Sequence, residues 1–196
     1  MSLETRTAEI FSKVFTPFAV AAIISIALSC FSPIGVGPVM TPFSSALVGI
    51  VTLCLVPFAP VLYSVGTGRT DLDVSDIAKR APLYGLGLTG YAIGIVAFLL
   101  FNNRLMFVMA LAYLSVGLTM LLITLAWKIS AHTAGIAGPT TALVFIFGVW
   151  AVPLYALSIL MVWSRVKLHA HSLAQAVAGL IVAIVITGVV YSVFYP

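Results

Sequence analysis

The residues able to do chemistry in this chain are few and gathered together. Only 7% of its 196 positions are charged. More than half of those lie in three segments: Asp71-Leu-Asp73-Val-Ser-Asp76-Ile-Ala-Lys79-Arg80-Ala-Pro82, Trp127-Lys128-Ile-Ser130-Ala-His132 and Ser164-Arg165-Val-Lys167-Leu-His169-Ala-His171. All three histidines fall in the second and third of them. These residue types suit phosphoryl chemistry: cations and hydroxyls hold phosphate oxygens, and an imidazole either attacks phosphorus or gives a proton to the leaving oxygen. A single Lys or Arg in such a place serves equally well as a flank that snorkels to the membrane interface. Cations clustered with imidazoles at membrane depth point instead to a site, because ionisable groups there are expensive unless paired or wetted.

Other chemistries fit less well. Asp71, Asp73 and Asp76 suggest magnesium-diphosphate binding as in membrane prenyltransferases, but those enzymes have a second Asp-rich motif and no acid follows Asp76. The trio reads as a solvated loop that caps a helix or pairs with Lys79 and Arg80. A haem carrier using His132 with His169 or His171 would place its ligands deeper within helices. Cys30 and Cys54 both lie in apolar runs and read as buried hydrophobes. They do not read as a disulfide or a metal site.

The elements that must position these residues cross a membrane. The chain is 62% hydrophobic with a mean hydropathy of +1.22, against roughly 25% charged residues in soluble domains. Runs without Asp, Glu, Lys or Arg cover Val14 to Gly68, Ala81 to Asn103, Leu105 to Trp127 and Thr133 to Ser164, and a span needs about 20 apolar residues. The expectation is an all-α, polytopic transmembrane bundle of about six to seven spans, one domain over 1–196. The spans fall at 14–34, 44–64, 82–101, 105–127, 132–150, 153–170 and 173–194.

Thr133 to Ser164 carries no charge for 32 residues, too many for one untilted crossing. Pro153 near its middle predicts a helical hairpin turning at Trp150 to Pro153, since proline disrupts an interior helical turn. That turn puts all the acids and every cation except Arg104 on one face. The positive-inside rule makes that face, with the N-terminus, cytoplasmic in a cell membrane. The N-terminal segment lacks a purely basic start and reads as retained rather than as a cleaved signal. The formal charge of +4 is scattered between spans, which favours anionic lipid or phosphate as partner over nucleic acid.

On these motifs the chain resembles the type 2 phosphatidic acid phosphatase superfamily, membrane lipid phosphatases related to vanadium haloperoxidases and bacterial acid phosphatases. Ser164-Arg165 followed by five residues and His171 matches the family's third signature. Ser130-Ala131-His132 resembles its second, Pro-Ser-Gly-His, and Lys79-Arg80-Ala81-Pro82 is a looser form of its first. The resemblance covers 105 residues, Asp71 to Gln175. The chain departs from the pattern at Asp73, where the family has a Lys, and at Ala81, which separates Arg80 from the proline. Ile129 and Ala131 replace the Pro and Gly of the second signature, and Gln175 replaces an Asp four residues after His171. Archaeal and bacterial members look similar, with Trp-Lys-Ile-Ser-x-His and His-x-Leu-Ala-Gln.

The resemblance implies a metal-independent phosphatase acting on a lipid phosphate or diphosphate, with an isoprenoid or glycerolipid tail. By it, His171 is the nucleophile that becomes a phosphohistidine and His132 the proton donor. Arg80, Ser130 and Arg165 hold the oxygens, with Lys79 or Lys128 in place of the missing Lys. His169 lies only two residues away, and spacing alone favours His171. Ser130 and His171 fall at predicted helix starts, where free N–H groups favour an anion. Gln175, one helical turn beyond His171, is placed to orient its imidazole but cannot stabilise an imidazolium as a carboxylate does, which implies slow turnover or a shifted pH optimum. A transporter would instead carry mid-span charges or helices broken in matching halves, and neither is evident.

Overall fold

The computed structural model describes residues 2–195. Among them every regular element is helical. Helix α1 (Leu3–Val14) is capped by Ser2 and α2 (Pro17–Phe31) by Thr16, with Pro17 in its first turn, where the missing N–H costs nothing. The two meet at a 52° bend. Then follow α3 (Pro42–Gly66), α4 (Ile77–Leu100) and α5 (Arg104–Thr124). The last three are α6 (Ala131–Phe147), α7 (Tyr155–Lys167) and α8 (Leu173–Phe194). Within α3 the backbone widens into a π-helical stretch, Ile50–Leu55. It lies just ahead of Pro57 and Pro60, whose rings and missing N–H groups disturb the carbonyls of the preceding turn.

Five stretches are long and apolar enough to cross a membrane, six if the bent pair α1 and α2 is one span, in line with the bundle of six to seven spans expected. One of the five, Ala131–Lys167, runs to 37 residues and does not run straight. Helix α6 ends at Gly148, whose φ of 68° and ψ of −151° are open essentially to glycine alone. A 3-10 turn, Gly148–Leu154, then reverses the chain. The reversal is fixed at both ends. Thr141 and Tyr155 share a hydrogen bond of 2.8 Å, and His132 and Arg165, at the outer ends of the two arms, both approach Asp73. The turn thus forms where Pro153 predicts it, with Gly148 making the break.

Packing runs α4 on α5, α6 on α8, α2 on α3 and α5 on α8. The core at the Arg104 end of the bundle is built from Leu28, Leu53, Phe98, Leu105 and Met106, all nearly or fully buried. Large apolar side chains such as Leu99, Leu100 and Trp150 point outward, as they should where lipid is the solvent.

The ionisable residues are segregated along the bundle. At one end Asn103 donates to Ser45 and Arg104 to the carbonyl of Phe194; among the described residues Arg104 is the only charged one there. At the other end lie α1 and the segments 67–76, 125–130 and 168–172. Helix α1 stands outside the span expected at 14–34. It presents Glu4, Ala8 and Ser12 at helical spacing to α7, where Lys167 pairs with Glu4, Ser164 donates to the Ala8 carbonyl and Arg165 donates to Ser12. Of the two cysteines, Cys54 is buried as expected, whereas Cys30 lies exposed on the outside of α2.

Candidate active site

At the charged end the three segments converge. His132, His171, Arg80, Arg165 and Lys128 all line one cavity of about 1050 Å³. Each is delivered by a helix end. Asp76 caps α4, and one turn on Arg80 enters the bundle; Ser130 caps α6 two residues before His132; Arg165 lies in the last turn of α7, and His171 immediately precedes Ser172, the cap of α8. Helix ends are therefore what gather the groups, and their first N–H groups favour an anion there.

The buried cations are held tightly. Arg80 and Arg165 are each 2% exposed, so their charges must be matched by oxygens. Arg80 donates to the carbonyls of Val74 (2.7 Å), Ile129 (3.0 Å) and Asp73 (3.3 Å), which locks segment 67–76 against the start of α6 and leaves two of its five N–H donors free. Arg165 donates to Ser12 Oγ at 2.7 Å and Asp73 Oδ2 at 2.9 Å, while its Nε is buried without a partner.

Asp73 is the residue whose role the sequence did not disclose. Reading the acidic trio as a solvated loop holds for Asp71, which accepts from the Ser75 N–H, and for Asp76, which caps α4 and pairs with Lys79. It fails for Asp73. Its carboxylate pairs with Arg165, not Arg80, and its Oδ1 stands 3.8 Å from His132 Nε2. Burial alone would raise the Asp73 carboxyl; Arg165, His132 and His171 overcome that and hold it below the ordinary carboxylate range. Val74 explains the placement: with φ at 47° it turns the chain and buries its side chain against Val61 and Leu83. The only hint in the sequence was that Asp73 stands where the family has a cation.

Other expected residues divide. Of Lys79 and Lys128, Lys128 reaches the cavity; Lys79 is half exposed and donates to the Arg69 carbonyl. Burial, together with Arg80 and Arg165, lowers the Lys128 ammonium. Ser130 is fully buried, accepts from the Thr133 N–H as the α6 cap, and does not line the cavity. His169, with φ at 52°, reaches the cavity beside His171.

Gln175 does not orient His171. Its Oε1 accepts from the Ser172 N–H at 3.0 Å, closing a capping box at the start of α8, while His171 Nδ1 is buried with no partner. The capping signal, Ser followed three residues later by Gln, was present in the sequence and competes with the imidazole for the same side chain. Burial, with Arg80, Arg165 and Lys128 around it, pushes His171 down to about 4, hydrogen bonding to the Lys128 backbone working the other way. Sequence reasoning also missed Tyr84, one turn beyond Arg80, and Glu9, Ser12 and Lys13 of α1, all of which line the cavity.

The arrangement offers an anion several N–H donors, two buried imidazoles and a partly neutralised cationic wall. Neither family models, nor curated proteins, nor solved structures give a match to the chain.

Proposed function

We propose that the chain is a membrane-embedded phosphatase that hydrolyses a lipid phosphate or diphosphate through a phosphohistidine. The observation that carries this reading is that His132, His171, Arg80, Lys128 and Arg165, from segments up to 91 positions apart, line one cavity at one end of the bundle. Phosphoryl transfer is chiefly positioning and charge stabilisation, and such a wall supplies both. In the proposed reaction the His171 lone pair forms an N–P bond as the P–O bond to the lipid breaks. His132 gives its proton to the departing oxygen, then takes one from a water that attacks phosphorus, and the N–P bond breaks to release phosphate. Arg165, Lys128 and the free donors of Arg80 bear the oxygens. Asp73 keeps Arg165 compensated when no phosphate is bound, and its Oδ1 stands 3.8 Å from His132 Nε2.

Two observations favour slow turnover within this reading. No carboxylate meets the His171 imidazole, and an incoming phosphate must compete with Asp73 for Arg165. The direct test is phosphate release by purified protein from an isoprenyl phosphate and from a phosphatidic acid. Wild type should release phosphate from at least one of them, and His171→Ala should lose about 10³-fold or more. Full activity in that variant would reject the mechanism.

A further inference from the structure

Beyond the cations the same cavity continues away from the charged end as an apolar shaft between α2, α4, α5 and α6. Along α4 its lining extends from Arg80 to Tyr91, about 16 Å at the helical rise, or half of a hydrocarbon core roughly 30 Å thick. Along α5 it is lined by Met120, Val116, Ala112 and Met109. Toward the Arg104 end its lining reaches the Tyr91 and Tyr113 rings, 5.3 Å apart, and Met109 one turn further on, while Phe98, Leu105 and Met106 are buried in the core beyond. Apart from the hydroxyls of Tyr84, Tyr91, Tyr113 and Thr187 the shaft wall is apolar, which suits a hydrocarbon chain better than a polar solute, and the core beyond it is packed. Its volume stands at the upper end of the roughly 300–1,000 Å³ usual for ligand sites, far more than a phosphate group fills.

We infer that the bundle takes the hydrocarbon tail of its ligand into this shaft between α4, α5 and α6, so that the ligand is a phosphate on a single long apolar chain held inside the protein. The inference rests on the phosphate reading for the head group only. An anionic head with a collinear apolar chain is the chemistry that matches a cationic mouth on a largely apolar shaft. The tail then contributes binding by leaving surrounding lipid for walls of fixed shape, where gains come from packing.

The test uses the full chain in lipid nanodiscs and dodecylphosphonate carrying a diazirine on its terminal carbon, which does not require turnover. After photolysis the labelled residues are mapped by mass spectrometry. Labels removed by excess unlabelled dodecylphosphonate should lie on Tyr91, Met109 or Tyr113. Val116→Trp should cut them about tenfold or more, the scale on which overfilling a packed site acts; Val116→Phe repeats the test should the Trp variant aggregate. Displaceable labels on outward residues such as Ile93, Val96 or Leu99, no displaceable labelling at all, or full labelling in the folded Val116 variant would overturn the inference. The two proposals part cleanly. Inner labelling without phosphate release from any lipid removes the reaction and leaves the tail site, whereas phosphate release with outer labelling does the reverse.

Discussion

An imidazole attacks phosphorus only when neutral, and the surroundings of His171 hold it so. Its pKa, pushed to about 4 from an ordinary value of 6.5, leaves the ring unprotonated throughout the neutral range. The sign follows for both activity and stability. In the proposed reaction protonation would remove the nucleophile, so the acid limb of kcat/KM should fall below pH 5 rather than near 6.5, as read from a pH-rate profile; a limb at 6.5 contradicts the assignment. The unfolded chain takes up this proton first as pH drops, so the stability present above about 6.5 is lost between there and about 4. That the histidines, Arg80, Lys128 and Arg165 belong together was legible in the sequence, because ionisable residues are rare in so apolar a chain and these cluster at span ends. Asp73 was not, since a carboxylate among other carboxylates reads as a solvated loop until the left-handed turn at Val74 is known. Gln175 misled for the opposite reason: spacing allowed two partners, and the helix start beside it took the side chain.

Helix starts do most of the positioning. Ser130 and Ser172 each cap the helix next to a site histidine, and the two starts are tied together: Ser130 donates to the Gln175 carbonyl and Thr133 to that of Ala176. Gly179 permits this. A Cβ there would collide with the Ser130 carbonyl and crowd Thr133 Oγ1, so Gly179→Ala must part α6 from α8 exactly where His132 and His171 are supported. Overpacking of this kind costs about 1–3 kcal/mol, and thermal unfolding of the variant should show it together with a loss of phosphate release. An unshifted unfolding temperature with full activity would mean that the contact is not needed. At this scale the spans were readable from apolar runs, and the hairpin from Pro153 and excess length. Helix α1 was not, because four charged residues in its twelve positions masked the small-residue stripe that meets α7, and the π-helical widening in α3 has no periodic signature.

For the whole molecule, the segregation of charge makes a prediction about orientation. With every cation but Arg104 at the site end, the positive-inside rule predicts that α1 and the cavity mouth face the cytoplasm. A cysteine introduced at Ser2 in a Cys30→Ser background, Cys30 being the exposed native thiol, should therefore be shielded from an impermeant maleimide in intact cells and labelled after lysis, whereas labelling in intact cells would invert the molecule. The chain's folding back at Gly148 matters most at this scale, because it alone brings His132 and His171 to the same end. The most direct measurement of the central claim is to mix the protein with radiolabelled lipid phosphate, quench with alkali and identify the phosphorylated residue. The account predicts an alkali-stable, acid-labile label on His171 that is absent from His171→Ala. Release of phosphate with no labelled histidine, or with the label unchanged in His171→Ala, would contradict it.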